Sequence, residues 1–422
     1  MARTPWLTSQ GIIESVKRKI ALPTDQVTFS DDDILRFANE EMFISQVPSV
    51  LIYHEEYFVT TVDVPLVSGI SRYPIPDRAI GMKLRDLFYK DVSGNLLEMT
   101  RIDPEDKSFF QAGVGGVPML HKFYLENNDV VLVPEISTST PTGSLNFIFF
   151  LRPNQLVADS RAAISKNFVQ TLTVTNATLA AGDTVTINGV VFTAVSSAPS
   201  TNEFLIDATD ILTASNLVTA INANGVVVAN NGTPNTNIVT LKYTNLKYAF
   251  ASSNSTALTF TAGQGIEFNS VPNSYTDPVT NEVSDLFVNG AQIDFLQTKP
   301  GHKIYSYDVT LPANSISGNI IQFAPGQVPS TFIVGDYICL ANECIIPFLP
   351  PDLHNGLAER TCARILSAQG DQQGLQSVNQ KIQEIETRQG NLLDNRVEGA
   401  PKKVTQRKSL LSYSRLGVRR RL

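Results

Sequence analysis

Apolar positions recur at helical spacing near both extremities of the chain and at strand spacing between them. Thr8 or Ser9 is placed to cap a first helix, with Ile12, Ile13, Val16 and Ile20 on one face and Pro23 beyond its end. In FSDDDILRFANEEMFISQVP, Ser30 reads as an N-cap and Asp31, Asp32 and Asp33 fill the first turn, where carboxylates suit the positive helix end. Ile34, Leu35, Ala38 and Met42 form the apolar stripe, and Pro48 is expected to close the segment. From Glu56 the period shortens. EYFVTTVDVPL, the pair KLRDLFYKD and LLEMTRI around Val92-Ser93-Gly94-Asn95, the pair HKFYLE and DVVLVPE around Asn127-Asn128, and SLNFIFFLRP read as strands and hairpins.

Near position 166 the composition shifts. Between Phe168 and Gly265 the only acids are Asp183, Glu203, Asp207 and Asp210, and the only bases are Lys242 and Lys247. QTLTVTNATLAAGDTVTINGVVFTAV reads as three strands with turns. TDILTASNLVTAINANG reads as a helix with Thr209 or Asp210 at its start and Gly225 after it. KIYSYDVTLP, NIIQFAP and DYICLANECIIPFLP return to strands. PDLHNGLAERTCARILSAQGD and LQSVNQKIQEIETRQGNLL read as two closing helices. The second carries a narrow seam of Leu375, Val378, Ile382, Ile385 and Leu392.

A narrow stripe needs a partner. The pattern therefore predicts an α+β protein: a helical bundle built from N- and C-terminal helices, an antiparallel β domain extruded between them, and an inserted small α+β module. The expected boundaries are 1–50 and 351–400 for the bundle, 51–165 and 266–350 for the β domain, 166–265 for the insert, and 401–422 for a basic tail.

Charge sharpens this picture. PKKVTQRKSLLSYSRLGVRRRL, residues 401–422, holds eight bases and no acid, although the whole chain carries −7; removing those eight bases leaves residues 1–400 at −15. Leu410, Leu411, Tyr413, Leu416, Val418 and Leu422 are interleaved with the bases. A purely electrostatic arm has no need of such an apolar set, whereas a segment that orders on a protein surface does. Docking on a protein partner is thus expected ahead of contact with nucleic acid or an idle, solvated end. With 42% apolar and 17% charged residues the composition is that of a globular protein. No apolar run approaches the ~20 residues of a membrane span, and MARTPWLTSQGIIESVKRKIALP lacks the apolar stretch of a signal peptide. The sparse cysteines, Cys339, Cys344 and Cys362, suit a reducing cytoplasm more than a disulfide scaffold.

Candidate chemistry is thin. His54, His121, His302 and His354 have no metal-ligand spacing. Cys339-x4-Cys344 is loosely spaced for zinc, and Asp31-Asp32-Asp33 lacks the alternating ligands and glycine of a calcium loop. GVGG at 113–116 does not link a strand to a helix as a phosphate loop does. The expectation is a structural or binding protein, not an enzyme, with no cofactor and no metal.

SDDDILRFANEEM, EEYFVTTVDVPLVSGISRYPIPDRAIGMKLRDLFY, IDFLQTKPGHKIYSYDVTLP and GDYICLANECIIPFLPPDLHNGLAERTCARILSAQGD together resemble the head-to-tail adaptor (connector, or neck) proteins of tailed double-stranded DNA bacteriophages. The resemblance covers the helices and the host β domain, and AAGDTVTINGVVFTAV is similar to small modules of many virion proteins. It implies a homo-oligomeric ring, most often of twelve copies, under the portal protein. That ring prolongs the DNA channel and offers a platform to tail or nozzle proteins in the virion neck, assembled in the host cytoplasm. It implies transient contact with packaged DNA and none with membrane. It further implies that the C-terminal segment reaches the portal, which here assigns docking to Lys402, Lys403, Arg407, Lys408, Leu410, Leu411, Tyr413, Arg415, Leu416, Arg419, Arg420 and Arg421. The alternative expectation is a tail or fibre component whose insert binds a host-surface glycan, for which aromatic side chains should gather on one exposed face of the module.

Overall fold

The computed structural model describes residues 7–21, 29–107, 122–133, 143–231, 236–271, 275–276, 283–284, 286–298 and 304–392. Helix α1 (Ser9–Lys19) starts at Thr8, whose hydroxyl accepts from the Gly11 amide at 3.2 Å. Helix α2 (Asp31–Glu41) opens on a capping box: Ser30 Oγ accepts from the Asp33 amide and the Asp33 carboxylate accepts from the Ser30 amide, at 3.1 and 2.9 Å. The helical path does not stop at Pro48 as expected. A π turn, Met42–Gln46, widens the helix ahead of the proline, and α3 (Val47–Tyr53) takes Pro48 in its first turn, where a missing N–H costs little.

The chain then builds two antiparallel sheets. One has the order β1 (Val59–Pro65), β7 (Ser144–Leu151), β3 (Ala79–Lys90), β4 (Leu96–Glu98); the other has β2 (Arg72–Pro74), β6 (Asp129–Val133), β5 (Lys122–Glu126). Alternating inward residues, among them Leu87, Val130, Leu132, Leu145, Phe147 and Phe149, close a core between them. After the short β8 (Gln155–Leu156), the twelve-residue β9 (Ala163–Val174) threads the next region. The module that follows contains β10 (Thr184–Ile187), β11 (Val190–Val195), β12 (Glu203–Leu205), α4 (Asp210–Asn224), β13 (Val228–Asn231), β14 (Ile238–Tyr243), β15 (Phe250–Ser252), β16 (Leu258–Phe260) and β17 (Gln264–Phe268). Then come the two-residue pair β18 (Tyr275–Thr276) and β19 (Val283–Ser284), followed by β20 (Gln292–Leu296), β21 (Ile304–Thr310), β22 (Ile316–Ser317), β23 (Ile320–Phe323), β24 (Tyr337–Leu340) and β25 (Glu343–Cys344). Helices α5 (His354–Gln369) and α6 (Gln372–Leu392) follow, with Gly370 taking the left-handed conformation (φ +76°) that ends α5.

Strand β9 is long enough to change partners along each edge. Its start pairs with β24 and then its body with β14; the other edge meets β17 and then β16. The position 165/166, expected as a boundary, falls inside this strand. One hydrophobic cluster joins Phe168, Phe192, Phe204, Leu217 and Leu241 to Ile293, Phe295, Phe323, Phe332 and Ile338. At the outer edge of the module, β13 pairs only with β14 among the described strands. The Asn222 side-chain amide of α4 donates to the Ala229 carbonyl at 2.8 Å and accepts from the Ala229 amide at 2.9 Å.

The expected fold class needs correction. Among the described residues strand is the commonest state and helices are dispersed along the chain, so the protein is mainly β with an antiparallel β domain, not a helical bundle built from N- and C-terminal helices. The stripes of α1 (Ile12, Ile13, Val16) and α2 (Ile34, Leu35, Ala38) meet α5. Strand and loop residues bury them as well: Leu156, Leu296, Tyr337, Cys339, Ile345 and Ile346 belong to the same cluster. Sequence periodicity reports that a face is apolar but not what covers it, and the apolar run from Tyr337 to Leu349 offers more surface than α6. Among the described side chains of α6 only Val378 is buried, and the seam around it lies on α5 at the margin of the structure.

Candidate functional site

The most chemically loaded cluster lies where the first sheet meets β20 and β21. Arg78, at the entrance to β3, is 5% exposed. Its Nη1 and Nη2 both donate to Asp294 Oδ2 at 3.2 Å; Nη1 also donates to Asp308 Oδ1 at 3.1 Å and Nη2 to Asn154 Oδ1 at 2.5 Å. Asp294 is fully buried and saturated. Its Oδ2 also accepts from Asn154 Nδ2 (2.7 Å) and the Asn342 amide (3.2 Å), and its Oδ1 accepts from the Asp308 amide (2.9 Å). That last bond is made where Asp308 adopts φ +55°, a left-handed conformation that an aspartate tolerates in an irregular strand. The guanidinium lies 5.5 Å from the centre of the Tyr307 ring. Burial pushes the Tyr307 phenol up to about 12, with Asp308 acting in the same direction.

Beside this cluster lies a cleft of about 710 Å³ between the outer strand β1, through Val62 and Val64, and the Tyr307–Asp308 segment, with Phe43 and Arg152 at its margin. Both carboxylates face one guanidinium, and the arrangement locks two sheets together. Burial is the main influence raising the Asp308 carboxyl above its ordinary value, reinforced by Asp294 and opposed by Arg78. The folded state therefore keeps this proton at pH values where the unfolded chain has lost it. The resulting stabilisation is complete below the ordinary carboxyl pKa and is lost as pH rises through the higher folded-state value. Wild type should thus lose stability relative to Asp308→Asn as pH increases across that window, which urea midpoints for the two proteins between pH 3.5 and 7 will check.

A second lock sits in the hairpin region. Asp336, fully buried, accepts from Tyr305 Oη (3.0 Å), Thr298 N and Oγ1 (3.0 and 3.1 Å) and Ile333 N (3.2 Å), and burial with this carboxylate raises the Tyr305 phenol. A third ties the helices. Glu41, 6% exposed, accepts from Arg364 Nε at 2.5 Å and Arg360 Nη1 at 3.4 Å, and Arg360 also pairs with Glu386 of α6.

The residues weighed for chemistry have structural settings. His354 is buried, accepting from the Leu7 amide at Nδ1 (3.1 Å), which leaves Nε2 to donate to the Leu349 carbonyl (3.2 Å). Cys339, Cys344 and Cys362 are buried free thiols; burial raises all three, Cys362 to about 12, far from the thiolate a nucleophile requires. Asp33 belongs to the α2 capping box, and Asp31 pairs with Lys17. His121, His302 and residues 113–116 lie outside the described residues. So do all twelve positions assigned to docking: Lys402, Lys403, Arg407, Lys408, Leu410, Leu411, Tyr413, Arg415, Leu416, Arg419, Arg420 and Arg421.

Sequence reasoning missed the exposed apolar surfaces. Ile44 and Ile52 are 64% and 77% exposed, and with exposed Pro48 they fall at intervals of four on the continuous helical path α2–π–α3. Tyr53 flanks them at 46%. The stripe begins at a groove of about 550 Å³ lined by Leu35, Phe43, Ile44, Leu156 and Val157. A second exposed set, Val92, Leu96 and Leu97, lies at the β3–β4 hairpin. The signal for the stripe was present in MFISQVPSVLIY, where apolar residues exceed what one buried face can absorb. The chain matches no family model and no curated protein.

Proposed function

We propose that this chain is a structural virion protein, a head-to-tail adaptor that forms a ring under the portal of a tailed double-stranded DNA phage and extends the DNA channel. The observation that carries the reading is a pair of unlike apolar surfaces at opposite ends of one sheet. Ile52 and Tyr53 precede β1, whose first residue Val59 pairs with Phe150, while Leu96 and Leu97 lie in edge strand β4 opposite Lys90 and Tyr89, with Val92 in the turn, at the end where Pro65 and Lys90 both pair with Ser144. The seven residues of β1 separate those two ends of the sheet by roughly 20 Å. Two different surfaces that meet between copies make a heterologous contact, and such a contact closes into a ring when its rotation allows. Exposed apolar groups of this kind mark protein contacts. The charge separation supports the same reading: a −15 body lining a channel repels DNA phosphates, and the +8 segment 401–422 holds the ring to the portal.

The glycan-binding alternative gains nothing from the module. Phe168, Phe192, Phe204 and Tyr243 are buried, and Tyr248, Phe250 and Phe260 are half-buried against them.

Native mass measurement of the purified protein, alone and with portal protein from the same virion, tests the proposal. Rings should form on the portal. Deletion of residues 401–422 should leave a folded body whose portal affinity falls by about a hundredfold or more. A body that binds portal equally well without those residues would remove the tail from the mechanism, and a chain that ignores portal would remove the adaptor reading.

A further inference from the structure

Lys242 of β14 is one of only two bases between Phe168 and Gly265, and it meets a carboxylate that is already shared. Its Nζ donates to Glu267 Oε1 of β17 at 2.8 Å, while Glu267 Oε2 accepts from Asn167 Nδ2 of β9 at 2.7 Å. Strand β9 runs between the other two: Glu267 is directly opposite Asn167 on one side, and Lys242 is opposite Val169 on the other. Residues 167 and 169 share a face of β9, so all three side chains stand on the same face of the sheet. Lys242 and Asn167 are diagonal neighbours, a separation of ~7–8 Å that a lysine side chain spans. The Lys242 and Glu267 side chains are only 29% and 13% exposed. One carboxylate thus holds an amine and an amide together, with one oxygen turned to each. The amide distinguishes this contact from an ordinary ion pair, because its Cγ can accept a nucleophile and its Nδ2 can leave. Lys90, Asp63 and Asn146 repeat the arrangement in the first sheet, but that lysine and carboxylate are 35% and 41% exposed, so water competes for both.

We propose that Lys242 and Asn167 become joined by an isopeptide bond, with Glu267 carrying the protons. Glu267 takes one proton from the Lys242 ammonium, and the freed amine attacks Asn167 Cγ to form the Nζ–Cγ bond. The Cγ–Nδ2 bond breaks as Nδ2 receives that proton from Glu267 and leaves as ammonia. The surplus proton on Nζ passes through Glu267 to the ammonia, which departs as ammonium, and the carboxylate is restored. No oxidant or further reactant is consumed. Burial pushes the Glu267 carboxyl up, but the bonds from Lys242 and Asn167 outweigh it and hold the group below its ordinary value, so it begins as the base. The first proton transfer is uphill. A bond made once per chain tolerates a slow step between groups held at high effective concentration. The product fastens β9, the strand common to the module and its host, to β14, and closes residues 167–242 into a covalent loop. The bond needs neither portal nor ring, so it stands or falls apart from the adaptor reading.

Intact-mass measurement of the full-length protein, fresh and after prolonged warm storage at neutral pH, tests the bond. Each chain should lose one ammonia, about 17 Da. Digestion after acidic residues should leave the two segments joined, although Asp183, Glu203, Asp207 and Asp210 lie between them, and trypsin should no longer cut after Lys242. Glu267→Gln keeps two polar atoms in place and should retain both the fold and the full sequence mass. Lys242→Arg should do the same, and it carries the test if the glutamine variant fails to fold. A wild-type chain that keeps its full mass after storage overturns the proposal. So does a loss of ammonia that survives in either variant, or one that maps to Lys90 and Asn146. Conversion of Asn167 to aspartate would also overturn it, since water and not Lys242 would then be the nucleophile.

Discussion

Arg78→Met should destabilise the folded chain by about 3–5 kcal/mol, because it strands the fully buried Asp294 carboxylate without its counter-charge. The loss belongs mostly to the abandoned charge, not to an intrinsic strength of the pair. Adding Asp294→Asn should therefore restore about 1 kcal/mol or more, since the amide removes the negative charge while its one oxygen still accepts from the Asp308 backbone. Denaturant unfolding of wild type, both single variants and the double variant gives the cycle directly. If Arg78→Met alone costs less than about 1 kcal/mol, the cluster is not the lock between sheets described above.

Phe168→Ala should be comparably damaging, at about 3–5 kcal/mol, since a fully buried aromatic is removed from a close-packed centre. Its ring lies 6.4 Å from Phe332 and 5.9 Å from Tyr243, one on each side of the expected module boundary. The loss should accordingly spread. Hydrogen exchange should show β10–β11 and β20–β21 losing protection together, in one opening unit. Independent opening of the two regions in the variant would mean that the module has a core of its own.

Local features were legible because their causes are local. Thr209 caps α4 and Gly225 closes it, as TDILTASNLVTAINANG announces, and the Ser30–Asp33 box opens α2. The fold class was not legible. Periodicity marked the apolar faces of α1, α2 and α5, yet Tyr337, Cys339 and Ile345 pack into the same core, and nothing in a linear pattern names those partners. The Arg78 cluster was equally hidden: Arg78 and Asp294 are 216 residues apart and each looks like an ordinary surface charge in sequence. Pro48 misled in the opposite sense, because a π turn absorbs the missing donor and lets the helix run on. The exposed stripe could have been read from the surplus of apolar residues between Met42 and Tyr53, had the helix been allowed past the proline.

The Asn222 amide has a bearing on colloidal behaviour. By occupying both backbone groups of Ala229, it leaves the outermost strand of the module nothing to offer an incoming chain at that point. Many copies crowded shoulder to shoulder would otherwise present matching rows of open donors and acceptors, the template on which fibrils grow. Exchange of Asn222 for leucine would reopen that point of the strand, which should be seen first as turbidity in concentrated stocks.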